Sequence, residues 1–161
     1  MTTQEALSKE ILRAVNLIDG TGNFASVLGS ANDAPVAFED VGTRGFPHIS
    51  FEISSIYVDD GATGCYRMMY VTDFYLYTKG SGSTTPAQSI ANLIGDLEST
   101  LVGEWKRGNT LTNIKADSGA DFIQWDYSGV EAQAYSPKQR GDAIANAVSF
   151  SAVIHRRYDS R

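Results

Sequence analysis

The sequence TTPAQSIANLIGDLESTLVGEWKRG, residues 84–108, contains the clearest periodic signal in the chain. Its apolar residues recur at spacings of three and four, which places them on one stripe of an α-helix. Thr85 is a suitable N-cap, Pro86 suits the first helical position, and Gln88 stands where a capping box has Glu or Gln. Gly108 can end the helix in a left-handed conformation. We expect this helix to lie on a β-sheet through a stripe that comprises Ile90, Leu93, Ile94, Leu97, Leu101, Val102 and Trp105.

Length and residue content limit the class of protein. The chain corresponds to a single domain, residues 1–161, that is long enough to bury a core. The single cysteine, Cys65, excludes an internal disulfide and a cysteine-based zinc site within one chain. His48 and His155 lie far apart without metal-ligand spacing, so we predict no metal site. The chain has neither an apolar run of membrane-spanning length nor a signal peptide, and we expect a cytoplasmic product with no membrane partner.

The net charge of −6 is distributed unevenly. Residues 138–161 contain five basic and two acidic side chains, a net charge of +3, so the first 137 residues carry −9. The negative total argues against a general nucleic-acid-binding surface. A subunit with this charge separation can stack head to tail or present different charges to different partners, whereas the alternative is a solvated surface with a basic tail.

The N-terminal region is predicted to be a helix followed by a long loop. From Thr3 an amphipathic pattern runs through Leu7 and Ile11 to a stop at Asp19-Gly20. Residues 21–45 then contain glycines, small polar residues and scattered hydrophobic ones, which indicates an irregular loop. Loops of this length in a compact domain are usually functional or ordered by a partner.

From residue 47 the pattern changes to the alternation of a β-strand. Ile49, Phe51 and Ile53 point one way while the polar residues between them point the other. We therefore expect a half-buried strand with a solvated back.

The return strand, residues 65–78, is apolar on both faces. One face contains Tyr66, Met68, Tyr70, Phe74 and Leu76, and the other contains Met69, Val71, Tyr75 and Tyr77. One covering helix hides only one face, so the second face is either covered within the monomer or lies against another chain. Both alternatives stay open, and we take Met69, Val71, Tyr75 and Tyr77 as candidate interface residues.

Two glycine-containing segments invite a ligand-binding interpretation. Asp59-Asp60-Gly61, followed by Gly64, does not have the spacing of a calcium-binding loop and predicts the turn of a hairpin. Lys79-Gly80-Ser81-Gly82-Ser83 precedes a helix, as a phosphate-binding loop does, but the required Gly-Lys-Ser/Thr ending is absent. We therefore interpret residues 79–84 as a flexible connector and predict no cofactor.

The remaining chain completes an α+β fold. Residues 110–114 suggest a short strand, and residues 120–158 suggest a closing antiparallel hairpin around a polar connection. The predicted architecture has two helices packed on one face of a mainly antiparallel four- to five-stranded sheet, in the order α-β-β-α-β-β.

The sequence contains no recognisable catalytic constellation. It has neither a Gly-x-Ser-x-Gly elbow nor a His-Glu-x-x-His helix. Asp73 and Asp126 are the carboxylates centred in apolar strand runs, and a solvent-facing or edge position explains them better than an acid with a raised pKa. We therefore predict that the protein is not an enzyme and has no catalytic residues.

The segment YVTDFYLYTKG, residues 70–80, with its Gly/Ser connector and the helix TPAQSIANLIGDLESTL, residues 85–101, resembles the tail terminator or tail-completion proteins of long-tailed bacteriophages. The N-terminal helix and the closing hairpin match the element order of that family. The resemblance covers most of the chain and rests on element order and residue character.

The resemblance implies a small subunit that assembles as a ring, as a hexamer, on the end of a completed tail tube. Its partners would be copies of itself, the tail tube protein and the head-side connector or stopper protein, while DNA passes through the lumen without being read. The location would be the head-proximal end of the virion tail, and the host cytoplasm during assembly. The candidate residues for docking to a neighbouring ring or subunit are Lys138, Arg140, Arg156 and Arg157.

Two alternative functions remain. The first is another phage component, such as a tube subunit or a head–tail joining protein, which would share ring formation but differ in its partners. The second, from a different class, is a small ligand-binding or hydrolytic α+β domain with a pocket lined by Tyr66, Tyr70, Tyr75 and Trp125.

Overall fold

The computed structural model describes residues 1–60, 64–80, 82–119, 122–126 and 143–157. The helices in this part of the chain are α1 (Thr3–Val15), α2 (Phe38–Arg44), α3 (Pro86–Lys106) and α4 (Asn109–Ser118). The strands are β1 (Ser30–Asn32), β2 (His48–Asp59), β3 (Cys65–Lys79), β4 (Phe122–Asp126) and β5 (Ala143–Arg157).

The strands form one open sheet in the order β1-β2-β3-β5-β4. β1 runs parallel to β2, and the other neighbouring pairs are antiparallel. β3 and β5 pair along their whole length, from Cys65 opposite Arg157 to Lys79 opposite Ala143. The predicted α+β class is confirmed, as are the β2–β3 hairpin and the antiparallel pairing of β4 with β5. The part of the closing hairpin between β4 and β5 lies outside the described residues.

The predicted element order was incomplete, because it omitted β1, α2 and α4. Residues 110–114, predicted to be a strand, belong to α4. Leu111 and Ile114 are three residues apart, so a helix brings both to the core, whereas a strand would point them to opposite faces. Gly108, with a φ of 78°, ends α3 and caps the start of α4.

The region predicted to be an irregular loop, residues 21–45, contains β1 and α2. These elements are short, and their positions depend on contacts with the sheet. A Cβ atom on Gly29 would lie 2.7 Å from the carbonyl oxygen of Phe46, so this close approach of two backbone segments requires glycine. The first helix also ends earlier than predicted, at Val15.

Helices α1, α3 and α4 cover one face of the sheet and form the main core with it. Leu93 and Leu97 of α3 are fully buried, as predicted. Beneath the helices, the ring of Phe74 lies 5.7 Å from that of Phe51 and 5.4 Å from that of Phe150. The central helix therefore rests on an aromatic row that crosses three strands.

The predicted start of α3 is confirmed in detail. The Thr85 hydroxyl accepts a hydrogen bond from the Gln88 backbone N–H at 3.2 Å, and Gln88 Oε1 accepts one from the Thr85 N–H at 3.0 Å. This capping box, with Pro86 at the first helical position, fixes where the helix begins.

An ionic network centred on the buried Glu104 joins the three helices. Glu104 of α3 accepts hydrogen bonds from Arg13 at 2.5 Å, from Arg107 at 2.9 Å and from Asn109 at 3.0 Å. Arg13 also donates to the buried Glu10. Burial opposes ionisation of Glu104, but the hydrogen bonds from Arg13, Arg107 and Asn109 outweigh it and lower the pKa of Glu104 to about 2.

Candidate functional site

The face of the sheet that points away from α1, α3 and α4 is here named the outer face. Residues directly opposite each other on paired strands point to the same side, so the register defines rows across this face. Tyr77 lies between His48 and Ala145 in the row at one end, and Met69 lies between Ile56 and Val153 in a row near the other. All four candidate residues of β3, Met69, Val71, Tyr75 and Tyr77, lie on the outer face.

One end of the outer face is covered within the monomer. Val36, which precedes α2, and Val41, which belongs to it, pack on Tyr77 and bury it. Phe46 and Tyr75 pack against this small cluster. The Tyr77 hydroxyl donates a hydrogen bond to the Val36 carbonyl oxygen at 3.0 Å. At this end the second apolar face of β3 is covered within the monomer, and Tyr77 packs against residues of its own chain.

The row at the covered end contains a buried histidine. His48 is fully buried, its Nδ1 lies 2.6 Å from the Ser30 hydroxyl, and its ring lies 5.9 Å from that of Tyr77. Burial, and then the charge of Arg44, lower the pKa of His48. A neutral, packed imidazole of this kind supports the fold. The expectation of a solvated back to β2 is wrong here, because Ser50 is also fully buried.

The other end of the outer face is open in the described part of the chain. Met69 and Val71 are partly exposed, and the neighbouring end of β2 is exposed on both sides. Ile56, Tyr57 and Val58 are 50%, 55% and 42% exposed. β1 pairs only with the first three residues of β2, residues 48–50. Among the described residues, therefore, no strand pairs with the outer edge of residues 54–58.

Sequence reasoning missed this exposed end of β2. The signal was the run of three consecutive apolar residues, Ile56, Tyr57 and Val58, which breaks the alternation expected of a half-solvated strand. A bulge between Tyr57 and Asp59 accompanies the run, and bulges are common where a strand edge is exposed.

The acidic residues at the tip of the β2–β3 hairpin have partners within the chain. Asp59 forms an ion pair with Arg67, whose Nε donates to Asp59 Oδ1 at 2.6 Å. The Tyr57 hydroxyl donates to Asp60. Within the described ranges no group of three or more His, Cys, Asp or Glu side chains could hold a metal ion.

The middle of the outer face carries two carboxylates. Glu52 lies directly opposite Asp73, which lies opposite Ser149. The Tyr75 hydroxyl donates to Glu52 at 2.6 Å and the Ser149 hydroxyl donates to Asp73 at 2.5 Å. Among the described side chains, neither carboxylate forms an ion pair with lysine or arginine. Asp73 therefore has the outward orientation expected from the sequence.

The proposed aromatic pocket does not form as a unit. Tyr70 has the parity of the helix-covered face and Tyr66 shares it, whereas Tyr75 lies on the outer face. The side chain of Trp125 lies outside those that the structure describes. These tyrosines therefore do not converge on one cavity.

A separate cleft of about 530 Å³ lies between the connector, the start of α3 and the residues before β1 and β2. Lys79 and Phe46 both line this cleft, and the Lys79 ammonium lies over the Phe46 ring, 5.0 Å from its centre. Ser26, in its wall, donates its backbone N–H to the buried Asp96 at 2.7 Å. The described residues that line the cleft include one cationic side chain, Lys79, and no histidine, carboxylate or cysteine. These described residues therefore offer a binding space but no side chain of the kinds that usually act as a general base or strong nucleophile at neutral pH.

The structure describes the predicted basic docking residues only in part. Lys138 and Arg140 lie outside the described residues. Arg156 and Arg157 belong to the end of β5, opposite Tyr66 and Cys65, and their side chains are likewise outside those described.

Among the helices that the structure describes, none is long and apolar enough to cross a membrane. No protein-family model matches the chain, and no curated protein matches it either.

Proposed function

We propose that the chain is a structural virion protein, the terminator that caps a phage tail tube as a ring. In this role it binds copies of itself and other particle components, and it neither forms nor breaks covalent bonds. The observation that carries the proposal is the exposed end of β2, where Ile56, Tyr57 and Val58 meet solvent beside the partly exposed Met69 and Val71.

An exposed apolar strand edge is costly for a protein that remains a monomer. Natural proteins usually protect exposed strand edges with charges, proline or a covering segment, because other chains can associate with them. Burying the exposed halves of Ile56, Tyr57 and Val58 against a partner would contribute about 1 kcal/mol each. The edge is therefore suited to contact with another protein chain.

Ring formation follows from the use of different surfaces on the two sides of a subunit. A contact in which one patch binds a different patch on the next copy gives a closed ring where the rotation between copies closes, and an open filament where it does not. On a tube end, such a ring would stop further addition of tube subunits and offer a new surface to the head-side connector or stopper. Acidic walls would repel the phosphates of the passing DNA and would not bind them.

The proposal is tested by sedimentation velocity and negative-stain electron microscopy of the purified protein, alone and mixed with tail tubes. We expect rings, or tubes capped at one end. The double variant Ile56→Asp/Val58→Asp should fold normally but form neither. Val27→Asp is a matched control, because Val27 is 64% exposed and lies away from the β2 edge. Assembly that survives the double variant would contradict the proposed role of this edge.

The alternative phage roles are separated by where the protein binds. A tube subunit would polymerise along the tube, and a head–tail joining protein would bind the connector without capping tubes. The cleft beside Lys79 supports the ligand-binding alternative, which predicts a monomer whose melting temperature rises with a small molecule and whose Lys79→Ala variant loses that rise.

A further inference from the structure

His48 connects the sheet to both ends of the covering segment, residues 36–44. It is fully buried, and its Nδ1 lies 2.6 Å from the Ser30 hydroxyl. The Ser30 hydroxyl in turn donates to the carbonyl oxygen of Gly45, directly after α2, at 2.9 Å. The ring of His48 also lies beside that of Tyr77, which is hydrogen-bonded to the other end of the segment.

The hydrogen bonds assign the proton of the neutral His48 ring to Nδ1. A carbonyl oxygen can only accept, so the Ser30 hydroxyl donates its one hydrogen to Gly45 and accepts from His48. The Nδ1 atom of His48 therefore carries the hydrogen, and Nε2 does not. Nε2 is buried and has no hydrogen-bond partner among the described residues. A second proton on the ring would have to go to this enclosed nitrogen.

Protonation would turn Nε2 of His48 into a charged donor without an acceptor. The buried hydroxyl of Ser50, two residues along β2 on the same face, forms no hydrogen bond with it. Burying a charged donor without a partner is unfavourable, whereas the same donor in water is fully solvated. The protonated ring therefore favours any state in which Nε2 reaches solvent.

The charged groups near His48 do not compensate this proton. The titratable side chains at this end of the neighbouring elements are Glu39, Asp40 and Arg44 of α2 and Tyr75, Tyr77 and Lys79 of β3, with Glu52 further along β2. β1 contains none. The positive charge of Arg44 opposes protonation. Among the described side chains, no carboxylate forms an ion pair with His48.

The covering segment can separate from the sheet without loss of the main core. α2 has only seven residues and no side-chain cap. Val36 and Val41 pack with Tyr77 in a small cluster that is distinct from the core beneath α1, α3 and α4. Segments with few buried apolar contacts open locally at a lower free energy than the core does.

We propose that His48 is an acid-sensitive contact that holds the covering segment, residues 36–44, on the sheet and releases it when the ring is protonated. The helix-covered face stays folded in this transition. Release exposes Tyr77 and so extends the open part of the outer face toward its covered end. The inference concerns a single chain and does not depend on ring formation.

The direction of the effect follows from the environment of His48. Burial, and then the charge of Arg44, lower the pKa of His48 below its ordinary value of 6.5. The contact is therefore complete above pH 6.5 and weakens as the pH falls from 6.5 toward the lowered pKa of the folded state. This range lies above the one in which Glu104 titrates.

Amide hydrogen exchange at pH 7.5 and 5.0 tests the release, provided that protection factors are used to correct for the direct effect of pH on exchange. The amides of residues 36–44 should lose at least about tenfold in protection at pH 5.0, while those of residues 90–101 in α3 keep theirs. Unchanged protection of residues 36–44 would overturn the proposal. An equal loss in α3 would also overturn it, because the whole fold would then be opening.

Two histidine variants assign the effect. His48→Asn keeps a side-chain N–H near the position of Nδ1 but does not titrate, so residues 36–44 should be equally protected at both pH values. His155→Asn is the matched control, because it removes the only other histidine of the chain, and it should keep the acid-dependent loss. A loss that persists in His48→Asn would show that another group controls the segment.

Where His48→Asn does not fold, an NMR titration of the imidazole signals of the unmodified protein decides. The signal that remains in His155→Asn belongs to His48. Its titration should have a midpoint below 6.5 and should follow the loss of protection in residues 36–44. A midpoint at or above 6.5 would contradict the proposal.

Discussion

The two ends of the outer face have the same strands but different surroundings. At one end the segment that contains α2 covers Tyr77 and fully buries Val41. At the other end Ile56, Met69 and Val71 stay partly exposed in the described structure, although they are as apolar as the covered residues. The comparison teaches that a strand with two apolar faces can be an interior strand over part of its length and an interaction surface over the rest. Four predictions test this division, in order of decreasing effect.

The helix-covered face is the reference for full burial. Leu97→Asp would place an unpaired charge in the seam between α3 and the sheet, where Leu97 is fully buried. We expect a loss of more than about 4 kcal/mol and an unfolded chain by circular dichroism. A soluble variant that melts cooperatively would show that the face of α3 has been assigned wrongly.

The sharpest comparison uses valine-to-aspartate changes at the two ends. Val41→Asp should lower the free energy of unfolding by about 3 kcal/mol, because Val41 is fully buried. Val71→Asp should cost the monomer less than about 1 kcal/mol and should prevent ring formation. Urea titration and sedimentation velocity of both variants measure these effects. Equal losses of stability would remove the distinction between the two ends.

The ionic network of the helices contrasts with Glu52 and Asp73 on the outer face, which form no ion pair with a described lysine or arginine side chain. The folded-state pKa of Glu104 is about 2, below its ordinary value of 4.5. Its contribution is therefore complete above pH 4.5 and is lost as the pH falls from 4.5 to 2. We expect about 2 kcal/mol, after allowance for the 39% exposure of the Arg13 side chain.

Urea titrations at pH 7, 4.5 and 2.5 measure this contribution of Glu104. The loss between pH 4.5 and 2.5 should shrink in Glu104→Gln and persist in Glu98→Gln. An identical pH dependence in the two variants would mean that the network does not supply it.

The smallest effect distinguishes two tyrosine hydroxyls on the same face. Tyr77→Phe removes a buried hydrogen bond to Val36 and should cost about 1 kcal/mol. Tyr75→Phe removes a hydrogen bond to the exposed Glu52 and should cost less than about 0.5 kcal/mol. The same urea titrations compare them, and the opposite ranking would contradict the described cover over Tyr77.

Local sequence signals predicted the elements that depend on local physics. The capping box at Thr85 and the long apolar stripe fix α3 without reference to other elements. In contrast, α2 has no side-chain cap, and α4 has few buried residues, so their conformation depends on distant contacts. Short elements of this kind carry too little periodicity to be recognised from the sequence alone.

The candidate surface could be predicted only in part for a related reason. The alternation along β3 placed Met69 and Val71 on the face away from the helices, which the register confirms. Whether a face is covered depends on where a remote segment packs, and Val41 lies more than thirty positions before Tyr77 in the sequence. The role of Met69 and Val71 in assembly stays a prediction.

Amide hydrogen exchange as a function of protein concentration tests the central claim most directly. If copies meet at the open end, the amides of residues 54–58 should become at least tenfold more protected as rings form, while those of the covering segment, residues 36–44, change little. Exchange at residues 54–58 that is equally fast in the monomer and in the assembled protein would contradict the account.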